Sequence, residues 1–341
     1  VTAAFSLPAW PQFETLALQG RYRMTPEDFQ VTELPGWQAT GDGEHLLCEV
    51  EKRGLNTADL ARVLAQTCGA DERDVGYCGA KDRHAVTRQW FSLRTPVGTE
   101  WPRHATAGGE NGESWRVLSW ARHGRKLRRG DHLGNAFVLR LEVDGAAPGA
   151  EVVHAHLSGG LPNYFGVQRF GRDGGNLARA KRWIVDGARL PPRGNQRGFM
   201  LSAARSLLFN EVLAARIRAG LLSTHISGDV IVDDVPTAPL WGRGRAAASA
   251  DALTLETEAL APWAAWCHAL EHAGLAQERR ALLLVPRELE VQCENNVLQL
   301  AFTLGPGAFA TSVIAALGDF VDAQLGDSEA PVGADAAGVT Q

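Results

Sequence analysis

No run of about eighteen apolar residues occurs in the 341-residue chain, so no membrane span is expected. The first residues, Val1-Thr2-Ala3-Ala4-Phe5-Ser6-Leu7-Pro8, lack a basic start followed by a long apolar stretch and do not read as a secretory signal. Cysteine is sparse. The five (Cys48, Cys68, Cys78, Cys267, Cys293) are odd in number and scattered, with no CxxC pair and no Cys/His cluster at metal-ligand spacing. That argues against a disulfide framework, leaves no expected metal site, and suits free thiols in a reducing cytoplasm. Cys78 lies close to Asp82 in sequence, but no histidine partner is positioned for it, so a nucleophilic role is set aside. A positive net charge is missing too: the formal value of −5 argues mildly against a nucleic-acid partner.

The average hides the distribution. Arg116, Arg122, Arg125, Lys126, Arg128 and Arg129 fall within fourteen residues that contain no acid. From Arg169 to Arg197, eight basic residues face only Asp173 and Asp186, whereas from Asp319 onward there are five acids and no base. A basic patch on an acidic protein reads as a local phosphate-binding footprint, because local field matters more than total charge. The plainer alternative is a set of solvated faces.

Composition, with 45% hydrophobic and 21% charged residues, is that of a globular protein with ample core material, and the length suggests roughly two domains. Strands are predicted over Phe29–Glu33 and Glu44–Val50, flanking a Gly41-Asp42-Gly43 turn. A helix opens at Asn56 or Thr57 and stops before Gly69. Further strands are expected from near Gln89, over Arg116–Trp120 and over Ala136–Val143, and helices over Glu151–Leu157, Asn176–Asp186 and Leu201–Arg218. Residues 220–255 read as Gly-rich and irregular with one strand at Asp229–Val232. A helix over Ala259–Ala273, strands over Leu282–Val285, Leu289–Cys293 and Val297–Leu304, and a helix over Ala310–Leu317 complete the series. The tail beyond Gly326 is expected to fray. Mixed order of strands and helices indicates an α+β (mixed α/β) class.

The most informative stretch is Gly76-Tyr77-Cys78-Gly79-Ala80-Lys81-Asp82-Arg83-His84-Ala85-Val86-Thr87. It sets Asp82 between two cations just after a Gly-flanked loop, where a ligand can approach the backbone closely. Neighbouring cations favour the ionised form of a carboxylate, which suits a nucleophile or a general base. On spacing alone, a charged solvated turn is the more ordinary reading.

Separated motifs in a fixed order change that balance. They are Pro26-Glu27-Asp28-Phe29, Gly41-Asp42-Gly43-Glu44-His45, Asn56-Thr57, Gly79 to Thr87, Gly134-Asn135-Ala136-Phe137, Pro162-Asn163-Tyr164-Phe165-Gly166-Val167-Gln168-Arg169-Phe170-Gly171 and Phe309-Ala310-Thr311-Ser312-Val313. In this order, over nearly the whole chain, the sequence resembles the tRNA pseudouridine synthase D family. The resemblance implies an isomerase that converts uridine 13 of tRNA to pseudouridine without cofactor or metal. It also implies a discontinuous catalytic core, 1–160 plus 307–341, with a family-specific α/β domain inserted over 161–306 and RNA in a cleft between the two lobes. The catalytic role maps onto Asp82. Phe29 and Phe309 are implied to contact substrate, Phe137 to lie near a flipped base, and Asn135 has the amide groups needed to recognise a uracil or ribose edge. Lys81, Arg83, His84, Arg169, Arg125, Lys126, Arg128 and Arg129 are read as electrostatic or RNA contacts, and which cation pairs with Asp82 is left open among Lys81, Arg83 and Arg169. The expected partner is tRNA, the expected state a monomer, the expected compartment the cytoplasm. Two alternatives carry less weight: a catalytically silent tRNA binder on the same scaffold, and a nucleoside or glycan hydrolase, which would ordinarily need a pair of carboxylates.

Overall fold

The structure, a computed structural model, describes residues 5–11, 13–101, 106–108 and 112–324. The acidic tail beyond Gly326 and part of the Gly108–Gly112 loop lie outside them. The chain divides into two compact units, one of residues 1–14 with 159–285 and a larger one of 15–158 with 286–341.

The chain builds strands β1 (Leu18–Tyr22), β2 (Phe29–Pro35) and β3 (His45–Arg53), helix α1 (Thr57–Cys68), then β4 (Gly76–Tyr77), β5 (Val86–Arg94), β6 (Thr106–Gly108), β7 (Ser114–His123), β8 (His132–Val143) and α2 (Ala150–Ser158). It then passes through β9 (Leu161–Pro162), α3 (Gly175–Ile184), α4 (Asn195–Arg218), β10 (Ile231–Val232), β11 (Val235–Leu240), α5 (Ala250–Leu260), α6 (Ala264–His272), β12 (Glu278–Ala281) and β13 (Leu283–Leu284). It closes with β14 (Arg287–Glu294), β15 (Val297–Leu304), α7 (Ala310–Leu317) and β16 (Gly318–Asp322). The mixed α/β class follows directly.

In the larger unit, one sheet runs β14-β15-β8-β2-β5-β3-β7-β6, with β4 against β5 and β1 bridging β8 and β16. β14 and β15 fall inside the expected 161–306 insertion, yet β15 pairs with β8 along its whole length, Val297 opposite Glu142 through Leu304 opposite Asn135. Helix α1 forms where its end signals say it should: Asn56 precedes it in extended conformation, and Gly69 ends it in the left-handed region at φ 65°. Its buried face of Leu60, Ala61, Leu64 and Ala65 packs on Cys48, Val50, Phe91 and Leu93. Each fully buried leucine there contributes roughly 1.5–3 kcal/mol. The period-two alternation of β2 buries Phe29, Val31 and Glu33, and that of β3 buries Cys48, Val50 and Lys52. Two charged residues thus sit on inward faces.

The smaller unit packs α3, α4 and α6 around a core that includes Phe170, Leu207, Phe209, Leu213, Trp266 and Leu270, with Phe5, Leu7 and Trp10 from the N-terminal segment against it. Residues 220–255 prove more regular than the sequence suggests. β11 was hidden by Pro236 and Pro239, which argue against a central strand. Yet β10 pairs only with Val235–Pro236 and β12 only with Thr237–Leu240, so each proline serves a single neighbour. The irregular turn after α4 is pinned by a buried ion pair, Arg216 to Asp229 at 2.6 Å, with the same guanidinium donating to the carbonyls of Leu221 and Thr224.

Candidate active site

Asp82 stands on the loop between β4 and β5, its side chain 53% exposed while its neighbours are tied down. Lys81 does not face solvent: its ammonium is 2.6 Å from the Glu33 carboxylate, and the two side chains are 5% and 0% exposed. The other Glu33 oxygen accepts the Trp90 N–H. The Lys81 N–H donates to Thr57 Oγ1 at the start of α1, and Gln89 Nε2 donates to the Gly79 carbonyl. Lys52, fully buried on β3, donates to the Asp82 carbonyl at 2.7 Å. Burial pushes the Lys52 ammonium down to about 8, against the pull of Asp82 and with the Lys81 charge adding to the depression. On the other side, Arg83 donates to the Gly54 carbonyl and pairs with Glu113 at 2.9 Å. The loop is clamped on both flanks of its one projecting carboxylate.

The cation that reaches the Asp82 carboxylate is Arg23, at 3.4 Å. Arg23 was not among the cations considered from sequence. It sits just beyond β1 in the left-handed region (φ 58°), and its other guanidinium nitrogen holds Asp322 of β16 at 2.8 Å. The guanidinium lies 3.9 Å from the Phe29 ring centroid, an arrangement in which the ring face attracts the cation. Burial, with the Asp322 charge adding, pushes the Tyr22 hydroxyl up to about 12, so it stays protonated. A second carboxylate, Asp322, shares the Arg23 guanidinium with Asp82. Glu27 is engaged by Arg53 at 2.6 Å, which lowers its pKa, and Asp28 caps its own turn by accepting the Thr25 N–H.

The aromatic candidates divide. Phe29 and Phe137 are buried, with ring centroids 6.4 Å apart on neighbouring strands, and Phe137 also stacks on Phe302 at 5.4 Å. Phe309 is 61% exposed, directly before α7. Asn135 lies on β8 between Glu33 of β2 and Leu304 of β15, and its buried Oδ1 finds no partner among the described residues. A buried amide oxygen left unpaired costs about 1–3 kcal/mol. Its neighbour must be glycine: a Cβ on Gly134 would strike the Leu304 carbonyl. Beside the loop, His132 at the start of β8 also has a buried ring nitrogen, Nδ1, without a partner among the described residues, and burial with the Lys81 charge lowers its pKa.

In the basic cluster, Arg125 pairs with Asp131 at 2.6 Å, where the Arg128 backbone N–H also donates, and Lys126 bonds the Arg73 carbonyl; the Arg128 and Arg129 guanidinium groups are exposed, with no ion pair among the described residues. His84 is exposed on the Asp82 loop. Arg169 belongs to the smaller unit, exposed, its guanidinium 5.2 Å from the Phe165 ring. The motif around it holds that unit together locally. Asn163 bonds the Ala281 carbonyl, and Asn210 exchanges two hydrogen bonds with the Phe165 backbone. Cys78 is buried, with its thiol pushed up to about 12 by desolvation, as befits an inert thiol.

Arg23, Asp322, Lys52 and Glu33 escaped the sequence reading. For Glu33 and Lys52 a signal existed, since strand alternation places both on buried faces. Arg23 and Asp322 meet only through the parallel pairing of β1 with β16, some 300 residues apart in the chain.

Comparison with known proteins agrees with the motif order. The family model described as tRNA pseudouridine synthase D (TruD) matches residues 12–189. The tRNA pseudouridine synthase D of Cellvibrio japonicus is 45% identical over 95% of this chain and 97% of its own length. That of Pseudomonas putida is 43% identical over 89% and 92% respectively. Among solved structures, a putative tRNA pseudouridine synthase D from Methanosarcina mazei shares the fold, with a TM-score of 0.63 over 91% of this chain and 96% of its own, at 20% identity.

Proposed function

The chain belongs to the tRNA pseudouridine synthase D family, and we propose on that premise that it isomerises uridine 13 of tRNA to pseudouridine, with Asp82 as the reacting carboxylate. The observation that carries the assignment is the Asp82 loop: Lys81, Arg83 and the Asp82 carbonyl are each held, and one carboxylate projects beside Arg23.

The reaction breaks the C1′–N1 bond, turns the uracil, forms C1′–C5 and moves the C5 proton to N1. Nothing is gained or lost, so neither a second substrate nor a net proton is required. Two routes use the same carboxylate: attack on C1′ to give a covalent ester, or removal of the 2′ proton to give a glycal. In both, negative charge leaves Asp82 as the reaction begins and returns when the uracil rejoins the sugar. The Arg23 guanidinium, shared with Asp322, holds Asp82 in position throughout. We assign removal of the final C5 proton to the same carboxylate.

The nucleotide must leave its stack, at a cost of about a few kcal/mol. Exposed Phe309 is the platform we assign to offset it, since stacking on a base contributes about 1–3 kcal/mol. Asn135 reads the base or ribose edge through its unpaired Oδ1. Phe137 and Phe29 form the apolar wall beneath, with Phe29 under the Arg23 guanidinium. Arg128 and Arg129 contact phosphates, which sets position rather than base identity. We assign the chemistry to the larger unit, which holds all these residues, and the family-specific insertion to the smaller one. We read the protein as a monomer acting on tRNA in the cytoplasm.

The test is incubation of the chain with unmodified tRNA transcripts, followed by mapping of pseudouridine through its stable chemical adduct. Product at uridine 13 alone is expected. Product at a different uridine, or release of free uracil, would overturn the assignment.

A further inference from the structure

Helix α6 carries His268-Ala269-Leu270-Glu271-His272, two imidazoles four residues apart with a carboxylate between them, and nothing in the reaction described above uses it. We propose that His268, Glu271 and His272 form a binding site for one divalent transition-metal ion of the zinc, nickel or copper class. The group lacks the cysteine pairs and Cys/His spacing that commonly mark a metal site in a sequence. The spacing is nonetheless legible, because residues i, i+3 and i+4 share one face of a helix.

The ligand atoms of the three side chains all lie within 4.8 Å of one another. An ion with bonds of about 2.0–2.1 Å needs them about 3.3 Å apart, a gap that small side-chain rotations close. The imidazoles are already gathered, with ring centroids 4.4 Å apart. Two of the three ligands are also oriented from behind. His272 Nδ1 donates to the His268 carbonyl at 2.8 Å, which leaves the lone pair on Nε2 available. Glu271 Oε1 accepts the Trp241 indole N–H at 3.0 Å, which fixes the carboxylate and leaves Oε2 available. Such outer hydrogen bonds are how metal sites set tautomer and direction.

The donor set selects the ion. Two imidazoles with one carboxylate match zinc, nickel or copper, whereas calcium and magnesium take oxygen ligands. Both histidines are exposed and Glu271 is half-buried, so an ion would enter from solvent and keep water in its remaining position. The site also lies at the C-terminal end of α6, where the helix dipole favours positive charge; Arg197 already donates to the Ala273 carbonyl there. Bound metal would fasten α6 to the segment after β11 through Glu271 and Trp241.

The experiment uses the full untagged chain, stripped with a chelator, and titrated calorimetrically with Zn(II), Ni(II) and Mg(II). Saturable binding of Zn(II) and Ni(II) at one ion per chain is expected, with none for Mg(II). His268→Ala and His272→Ala should each weaken binding at least about tenfold, and Glu271→Gln should weaken it measurably. Because both histidines are exposed, the metal-free variants should unfold at the wild-type midpoint. As a check on the unmutated chain, Co(II) should give the visible absorption of a tetrahedral nitrogen/oxygen site. Absence of saturation, or Zn(II) binding unchanged by both histidine substitutions, would overturn the proposal.

Discussion

Replacing Lys81 by methionine should damage both stability and rate, for a reason specific to where its charge resides. The ammonium lies 2.6 Å from Glu33 with both side chains almost completely covered. At an effective dielectric constant of about 20, two unit charges at 2.6 Å attract by roughly 6 kcal/mol. Most of that is offset by the cost of taking both groups out of water. Deleting one partner strands the other, and such deletions cost about 3–5 kcal/mol. Lys81→Met should therefore lose about 3–5 kcal/mol in urea unfolding of the larger unit. Glu33 would keep only the Trp90 N–H as a partner. Asp82 is the next residue, so relaxation of the loop moves the carboxylate. A displacement of about 1 Å should lower the single-turnover rate roughly a hundredfold. Combining Lys81→Met with Glu33→Gln removes the stranded charge and leaves an acceptor for Trp90, and it should restore at least half of the lost stability. Urea unfolding by tryptophan fluorescence, with rapid-quench assays on unmodified tRNA, measures both effects. A Lys81→Met protein within 1 kcal/mol (about fivefold in the folding equilibrium) of wild type, with an unchanged rate, would refute the reasoning.

Lys52 predicts a pH signature. Its folded pKa is about 8 against an ordinary 10.5, so between those values the unfolded chain binds the extra proton and folding stability rises with pH. Lys52→Met should abolish that rise, so the wild-type-minus-variant stability difference should climb by roughly 3 kcal/mol between pH 8 and 10.5 and stay flat below pH 7; a difference that does not change with pH would contradict it. Phe309→Ala should leave unfolding within about 0.5 kcal/mol of wild type while slowing single turnover about 5- to 150-fold, the worth of one stacked base; a large stability loss would show Phe309 to be a packing residue instead. Exchanging Arg128 and Arg129 together for glutamine should raise the Kd for tRNA without changing saturated turnover, and should flatten the dependence of log Kd on log salt by about one to two units. An unchanged salt slope would remove both from the RNA contact.

Local chemistry wrote much of this fold into the sequence. The Asn56 and Gly69 signals bound α1, apolar alternation marked β8, and strand-forming runs marked β2, β3 and β15. What stayed hidden depends on distant partners. β1 and β16 are short and depend on distant partners, β1 on β8 and β16, and β16 on β1, and β11 carries two prolines that only its neighbours' short pairings excuse. The site shows the same division. The Gly-flanked loop drew attention to Asp82, and the family resemblance mapped the catalytic role onto it, while the cation beside it was left open among Lys81, Arg83 and Arg169. Lys81 turns to Glu33 and Arg83 to Glu113, and the cation at Asp82 is Arg23. Adjacent residues on an extended segment face opposite ways, so they are poor candidates to pair with each other's side chains.

The most direct test of the central claim is single-turnover conversion of unmodified tRNA by wild type and by Asp82→Asn, with tRNA affinity measured alongside. The asparagine keeps the size of the side chain and removes its charge. Wild type should form pseudouridine, the tRNA affinity of the variant should stay within about threefold, and its rate should fall at least about a thousandfold. An Asp82→Asn protein that still forms pseudouridine within tenfold of the wild-type rate would show that the reacting carboxylate lies elsewhere.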